Sequence, residues 1–321
     1  MTKRKMLHET SAAPSKKSHH KKQRVPVEIV PGDDISVSIQ SLETMKQQLE
    51  QCNQSQGTLI TAAQEAAGHL CKRNGIVELE ASIGMSNGRI SKGWRPELPA
   101  FETQLLLTAL ERGATCWDEV GEWKIFCDTY VVLDKSLTTS TQSQTVRMRS
   151  IQGEKSTSIT KTLLTRTDFA ATGSNIRVRF QAKAERDVAT TSAQVILLLP
   201  ESVRLSLRRT YVLHSRAEPA CTYRYTVYRA WTARTSSEAE RLMHDDEDNG
   251  QTTGQCGVEV EVEVDEKAAP ELVMYASLGV LTKIQDLVAV LTGGSRSLRK
   301  LSFTALHDDG KTTKLRGQRK A

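Results

Sequence analysis

The chain has 321 residues, 38% of them hydrophobic and 26% charged, which is enough apolar material for a packed core and excludes global disorder. Its formal net charge of +6 sits at the ends: residues 1–25 carry eight Lys/Arg and one Glu, residues 311–321 carry five Lys/Arg and no acid, and the rest is net −6. No run approaches ~18 consecutive apolar residues, the polar start has no apolar signal-like centre, and six scattered cysteines form no CxxC. A membrane span, secretion, and a zinc or disulfide framework are therefore not expected.

Residues 1–31 read as a disordered basic tail, ending in Pro26 and Pro31, and 301–321 as a basic C-terminal tail around a single domain at 32–300. Helical spacing appears at Ile39, Leu42, Met45 and Leu49. A helix from Thr58 to Arg73 follows, with Leu59, Ala63, Ala66 and Leu70 as its stripe and Gly75 as its stop. A loop runs over Trp94–Pro99, and Phe101 to Arg112 is again helical. From Trp123 the character changes to β-branched, alternating runs separated by polar turns. Residues 243–257, acidic and Gly/Gln-rich, read as a flexible loop between two strands, and Ile284 to Leu291 as a last helix before Gly293-Gly294.

Several strands alternate apolar residues with charges. Glu78 and Glu80 share one face, and Glu259, Glu261 and Glu263 share another, opposite Val258, Val260, Val262 and Val264. Arg177, Arg179, Gln181, Lys183 and Glu185 align opposite Val178, Phe180, Ala182 and Ala184, while Arg204, Ser206 and Arg208 align opposite Val203, Leu205 and Leu207. Like charges two residues apart lie about 6.6–7 Å from each other on one face and repel. A single such run reads as a charged edge strand that resists aggregation. Four of them are better accommodated by a closed β-barrel with a hydrophilic lumen and helices packed outside. Acids on one wall and arginines on another would make a metal-plus-phosphate cavity.

Other phosphate chemistries lack their residues. No cysteine is followed by an arginine six positions on, no Lys-x-Asp-Gly is present, and the Gly310-Lys311-Thr312 end of a P-loop has Ala305 where its first glycine belongs. Trp94, Trp117, Trp123 and Trp231 are scattered, which suits packing rather than base stacking.

The segments VELEASIG (77–84) and GVEVEVEV (257–264) resemble the two glutamate-rich strands of the tunnel-type RNA triphosphatases, metal-dependent enzymes of fungi, protozoa and large DNA viruses. Between them, SITKTLLTRTDF, NIRVRFQAKAER, VRLSLRRTYVL and YRYTVYRAW are similar to that family's intervening strands, over roughly residues 58–290. The resemblance implies an α+β fold built on a closed, antiparallel, eight-stranded β-barrel, removal of the γ-phosphate from nascent mRNA before capping, and hydrolysis of nucleoside triphosphates. It implies Mn²⁺ or Mg²⁺ as cofactor, a separate guanylyltransferase as partner, and a nuclear location. By position, Glu78, Glu80 and Glu263 would be metal ligands, while Glu259, Glu261 and Glu185 would hold metal-bound water or orient the attacking one. Arg208, Arg204, Arg177, Lys161 and Arg147 or Arg149 would grip the triphosphate, with Arg224 on the penultimate strand grouped beside them. Ser206 stands where the family usually has a lysine, and Thr226 and Tyr228 stand where it usually has Asp and Thr. Two alternatives share this architecture: a hydrolase of another triphosphate, inorganic or nucleotide, and a non-catalytic module that binds triphosphate or RNA ends.

Overall fold

The computed structural model describes residues 57–70, 76–85, 97–113, 116–133, 144–151, 156–188, 200–216, 218–249, 254–265, 268–294 and 298–300. The expected tail at 1–31, the helical spacing at 39–49, Trp94 and the tail beyond 300 lie outside the described residues. In chain order the elements are α1 (Gly57–Leu70), β1 (Ile76–Met85), α2 (Ala100–Arg112), β2 (Glu119–Val120), β3 (Lys124–Leu133), β4 (Gln144–Ile151) and β5 (Thr157–Ala171). There follow β6 (Ile176–Asp187), β7 (Ser202–His214), β8 (Thr222–Ala233), α3 (Ser236–Asn249), β9 (Gln255–Asp265), α4 (Pro270–Thr292) and β10 (Leu298–Lys300).

The sheet runs β5-β4-β3-β7-β8-β9-β1-β6, and β6 pairs back onto β5. Every pairing is antiparallel, so eight strands close into a barrel with no free edge in the ring. Two short strands sit outside the ring: β10 pairs with β5 and β2 with β7. Register is held by the period of two, because a one-residue slip would turn every charge outward and every valine into the lumen.

The outward residues of β1, β6, β8 and β9 form the main core. Leu79, Ile83, Phe180, Tyr223, Tyr225, Val258 and Val262 are buried there under α1, α2 and α4. Helix α4 is buried on nearly every side, from Val273 through Ala276, Val280 and Ile284 to Val288. It begins at Pro270, well before the expected Ile284, because its first three turns are as apolar as its last. It is long and apolar enough to cross a membrane, but 78% of its most apolar window is buried inside the protein. The approach of α4 to the barrel is close at Gly279, where a β-carbon would lie 1.9 Å from the Tyr223 hydroxyl.

The expected loop at 243–257 is incorrect. Residues up to Asn249 belong to α3, and β9 starts at Gln255. Ala239, Leu242 and Met243 fall at helical spacing and pack on Leu205 and Trp231 of the barrel wall. One turn further on, the buried Asp246 carboxylate accepts hydrogen bonds from Trp231 Nε1 (2.8 Å) and the Gly254 amide (2.9 Å), and Arg229 lies 2.7 Å away. At the other end, the Glu238 amide donates to Thr235 Oγ1 at 3.2 Å, a Thr-x-x-Glu start in which Glu238 in turn accepts from the Arg234 amide. The acidic composition thus belongs to a helix, with one of its acids, Asp246, turned into the protein.

Candidate active site

The lumen holds a cavity of about 580 Å³, lined by side chains from all eight ring strands. β1 and β9 lie side by side, so Glu80 stands directly opposite Glu261 and Glu78 opposite Glu263. Glu78, Glu80, Glu259 and Glu261 thus make an acidic wall. Four strands around the ring, β4 and β7 flank β3 and bring Arg147, Arg149, Arg204 and Arg208 to the facing wall. Lys161 of β5 and Lys183 of β6 bridge the two.

The arginines are aimed by their neighbours. Asp128 of β3 is fully buried and accepts from Arg149 Nε at 2.6 Å and Nη2 at 3.0 Å, and from Arg208 Nη2 at 2.9 Å. Both guanidinium groups lie over the Phe126 ring, 5.3 and 5.0 Å from its centroid. Arg208 Nε also donates to Ser206 Oγ at 2.7 Å, which gives the serine a positioning contact in place of a second cation. Arg204 lies 5.0 Å over the Tyr228 ring. That ring rests on Gly257, where a β-carbon would come within 2.4 Å of its hydroxyl.

Burial and charge set the protonation states. Burial raises the Asp128 carboxyl, but Arg149, Arg208 and Arg147 outweigh it and hold the pKa below the usual value. Burial pushes Glu78 up as well, yet Lys161 and Lys183 bring it well below the carboxylate range. Glu80 is pushed up to about 7 by burial, with Lys183 opposing and Glu259 and Glu78 adding to the rise. Glu261 is raised to about 8 by burial and by its neighbours Glu78, Glu259 and Glu80. Burial and Glu78 likewise raise Glu185, against Lys161. On the facing wall Arg208 is lowered, chiefly by burial, with the other arginines adding to the fall.

Most of the residues singled out in the sequence meet in this cavity: Glu78, Glu80, Glu259, Glu261, Arg147, Arg149, Lys161, Arg204 and Arg208 all line it. Glu185 adjoins it, paired with Lys161 and 3.8 Å from Arg147. Three do not line it. Glu263 is 42% exposed at the side chain and pairs with Arg224 at 3.3 Å, so these two form an ion pair beside the cavity. Arg177 stands opposite Gly84 and Ala170, toward the other end of the barrel. Among the lining or supporting residues not singled out as site residues are Asp128, Lys183, Arg166 and Tyr130. Asp128 carried a signal, an acid alone in the apolar strand KIFCDTYVVL, since a buried acid requires a cation. Trp117 and Trp231 are packed in the core as expected, Trp117 against Tyr211 and Tyr225.

Among the described residues, no three carboxylates converge as placed on a point that could hold an ion. Instead Glu78 is hydrogen-bonded by Lys161, and Glu80 by Lys183. The donor chemistry of the acidic wall nevertheless fits a hard divalent cation. It is oxygen-only, Glu78 Oε1 is buried without a hydrogen bond, and Glu80 and Glu261 are short of positive charge.

Comparison with solved structures gives matches of low identity. The RNA triphosphatase Pct1 of Schizosaccharomyces pombe matches over 73% of this chain and 88% of its own, with 13% identity and a TM-score of 0.47. The capping-enzyme triphosphatase of Mimivirus matches over 77% of this chain and 99% of its own, with 8% identity and a TM-score of 0.37. A chain of the S. pombe Mediator head module also matches, over 70% and 100%, with 9% identity and a TM-score of 0.36. No protein-family model and no curated protein matches the sequence. The observed architecture is the expected one. It is a closed tunnel with a charged lumen, and the functional reading rests on that lumen.

Proposed function

We propose that the chain is a metal-dependent RNA 5′-triphosphatase of the tunnel type, which removes the γ-phosphate of nascent mRNA in the first step of capping and also hydrolyses nucleoside triphosphates. The observation that carries this reading is a single cavity inside the closed ring of strands, in which Glu78, Glu80, Glu259 and Glu261 face Arg147, Arg149, Arg204 and Arg208. Transfer of a terminal phosphoryl group to water requires positive charge around its oxygens and a positioned water, and little else.

The arginine wall supplies the first requirement. Arg149 and Arg208, locked by Asp128, offer donors whose orientation needs no reorganisation when phosphate arrives. Lys161 and Arg204 extend the positive surface to either side. Glu261 and Glu259, with Glu185 adjoining the cavity, would hold metal-bound water or orient the attacking one. Glu78 and Glu80 would hold Mn²⁺ or Mg²⁺, which would neutralise charge on the phosphate oxygens, while Glu263 pairs with Arg224 beside the cavity and is not counted among the ligands. Most of the lining side chains are charged, and charge–phosphate contacts carry little base information, so the reading includes free nucleotides as substrates. The basic ends suit attraction to RNA, and a separate guanylyltransferase and a nuclear location complete the proposal.

Phosphate release from triphosphate-ended RNA with Mn²⁺ tests this directly. Turnover should be abolished by Glu80→Ala, with the barrel still folded by circular dichroism. Normal turnover of Glu80→Ala at saturating Mn²⁺ would overturn the assignment.

A further inference from the structure

Lys183 stands inside the acidic wall. Its position on β6 is directly opposite Glu78 on β1 and opposite Leu163 on β5. Leu163 offers no counter-charge, and a bulge follows it before Thr165. The ammonium therefore turns to β1, where Nζ lies 2.5 Å from Glu80 Oε2 and 3.5 Å from Glu78 Oε1. It spans the two carboxylates from adjacent inward positions of a single strand. These are also the two residues read above as ligands of a divalent cation. The lining as a whole holds seven Lys/Arg against four Glu, so the acidic wall is already partly neutralised by the chain itself.

Resting on the reading of the lumen as a metal site, we propose that Lys183 is a built-in competitor of the metal, a tethered cation that bridges Glu78 and Glu80 and must leave them before an ion can bind. A divalent ion seated between these carboxylates would repel the Lys183 ammonium, and that repulsion rises steeply once both are withdrawn from bulk water. The energy needed to break the Lys183 contacts is subtracted from the binding of the ion, so the affinity of the tunnel for metal is set below what its carboxylates alone would give. Once displaced, the ammonium remains in the cavity and adds to the positive surface facing the phosphates. Lys183 is thus a positioning residue that acts through Glu80 and Glu78.

Binding of Mn²⁺ to the full chain, followed by the electron paramagnetic resonance of the free ion, separates this role from a structural one. Lys183→Met and Lys183→Gln should bind Mn²⁺ at least tenfold more tightly than the wild type, and Lys183→Arg, which keeps the charge, should remain within threefold of it. The two neutral replacements differ in shape and polarity, so at least one folded variant is expected, as checked by circular dichroism. Unchanged or weaker Mn²⁺ binding in the folded neutral variants would overturn the proposal while leaving the metal reading intact. If the wild type and the neutral variants all fail to bind Mn²⁺, the metal reading fails, and this proposal with it. Glu80→Gln in parallel reports whether the measured site is the one described.

Discussion

Asp128 gives the most direct test of how the lumen is built. Replacing it with asparagine keeps the size and shape of the side chain and removes one charge. In the wild type its carboxylate accepts three hydrogen bonds at 2.6, 3.0 and 2.9 Å from two guanidinium groups, with no exposure to solvent. The amide cannot accept all three, and it leaves Arg149 and Arg208 facing each other with their nearest acid contact reduced to Glu259, 3.9 Å from Arg208. Breaking a buried ion pair by removing one partner costs about 3–5 kcal/mol. For a chain of this size that corresponds to a fall in Tm on the order of 10 °C. Urea unfolding at pH 7 measures the loss, and a cycle combining Asp128→Asn with Arg149→Met should show a coupling of at least about 1 kcal/mol. The pH dependence has a defined sign. The folded carboxyl titrates below its unfolded value of about 3.9, so the stabilisation is fully present above roughly pH 4–5 and disappears as pH falls through the lower folded value. Asp128→Asn should therefore narrow its deficit toward the wild type as the solution is acidified below that range. Phosphate release should fall with it, because both arginines lose their orientation. Equal urea midpoints for the two proteins at pH 7 would refute the account of Asp128 as the clamp of the arginine wall.

Two further outcomes concern the helical side of the barrel. Gly279→Ala should destabilise the fold by about 1–3 kcal/mol, since its β-carbon would meet the Tyr223 hydroxyl at 1.9 Å. Tyr223→Phe in the same chain should return part of the loss in urea midpoint. Lys283 of α4 is 3% exposed, with Nζ 4.6 Å from the Tyr223 ring centroid. Burial lowers its pKa to about 8, partly opposed by Asp286. The folded value lies below the unfolded one of about 10.4, so the unfolded chain binds more protons between them and stability rises with pH across that window. The gain is up to roughly 3 kcal/mol. Lys283→Met should abolish it, and a wild-type urea midpoint that does not rise relative to the variant between pH 8 and 10 would disprove the assignment.

The barrel and its acidic wall were legible in the sequence because alternation is a local property. In VELEA and GVEVEVEV, period 2 alone assigns Glu78, Glu80, Glu259 and Glu261 to one side and the valines to the other. The alternating charges of β4 and β6 could be recognised on the same grounds, whereas β7 and β8 also carry Arg209 and Arg229 on the outer face, paired with Glu111 and Asp246. Composition misled where it was read without periodicity. The acidic segment ending at Asn249 is a helix because Ala239, Leu242, Met243 and Asp246 share a face, a pattern hidden by the charges between them. What only the tertiary structure decided is which charges meet. Ring closure through the β5–β6 pairing places the arginines of β4 and β7 across from the glutamates of β1 and β9, although the residues concerned are separated by dozens of positions along the chain. Register then sorts residues within a single strand. Glu261 lies inside the cavity while Glu263, two positions on, pairs with Arg224 outside it, and Lys183 rather than Glu185 reaches Glu80. Alternation assigns a side chain to a face, but its height along the tunnel depends on strand stagger, which is set by the closed ring of pairings and by the bulge in β5.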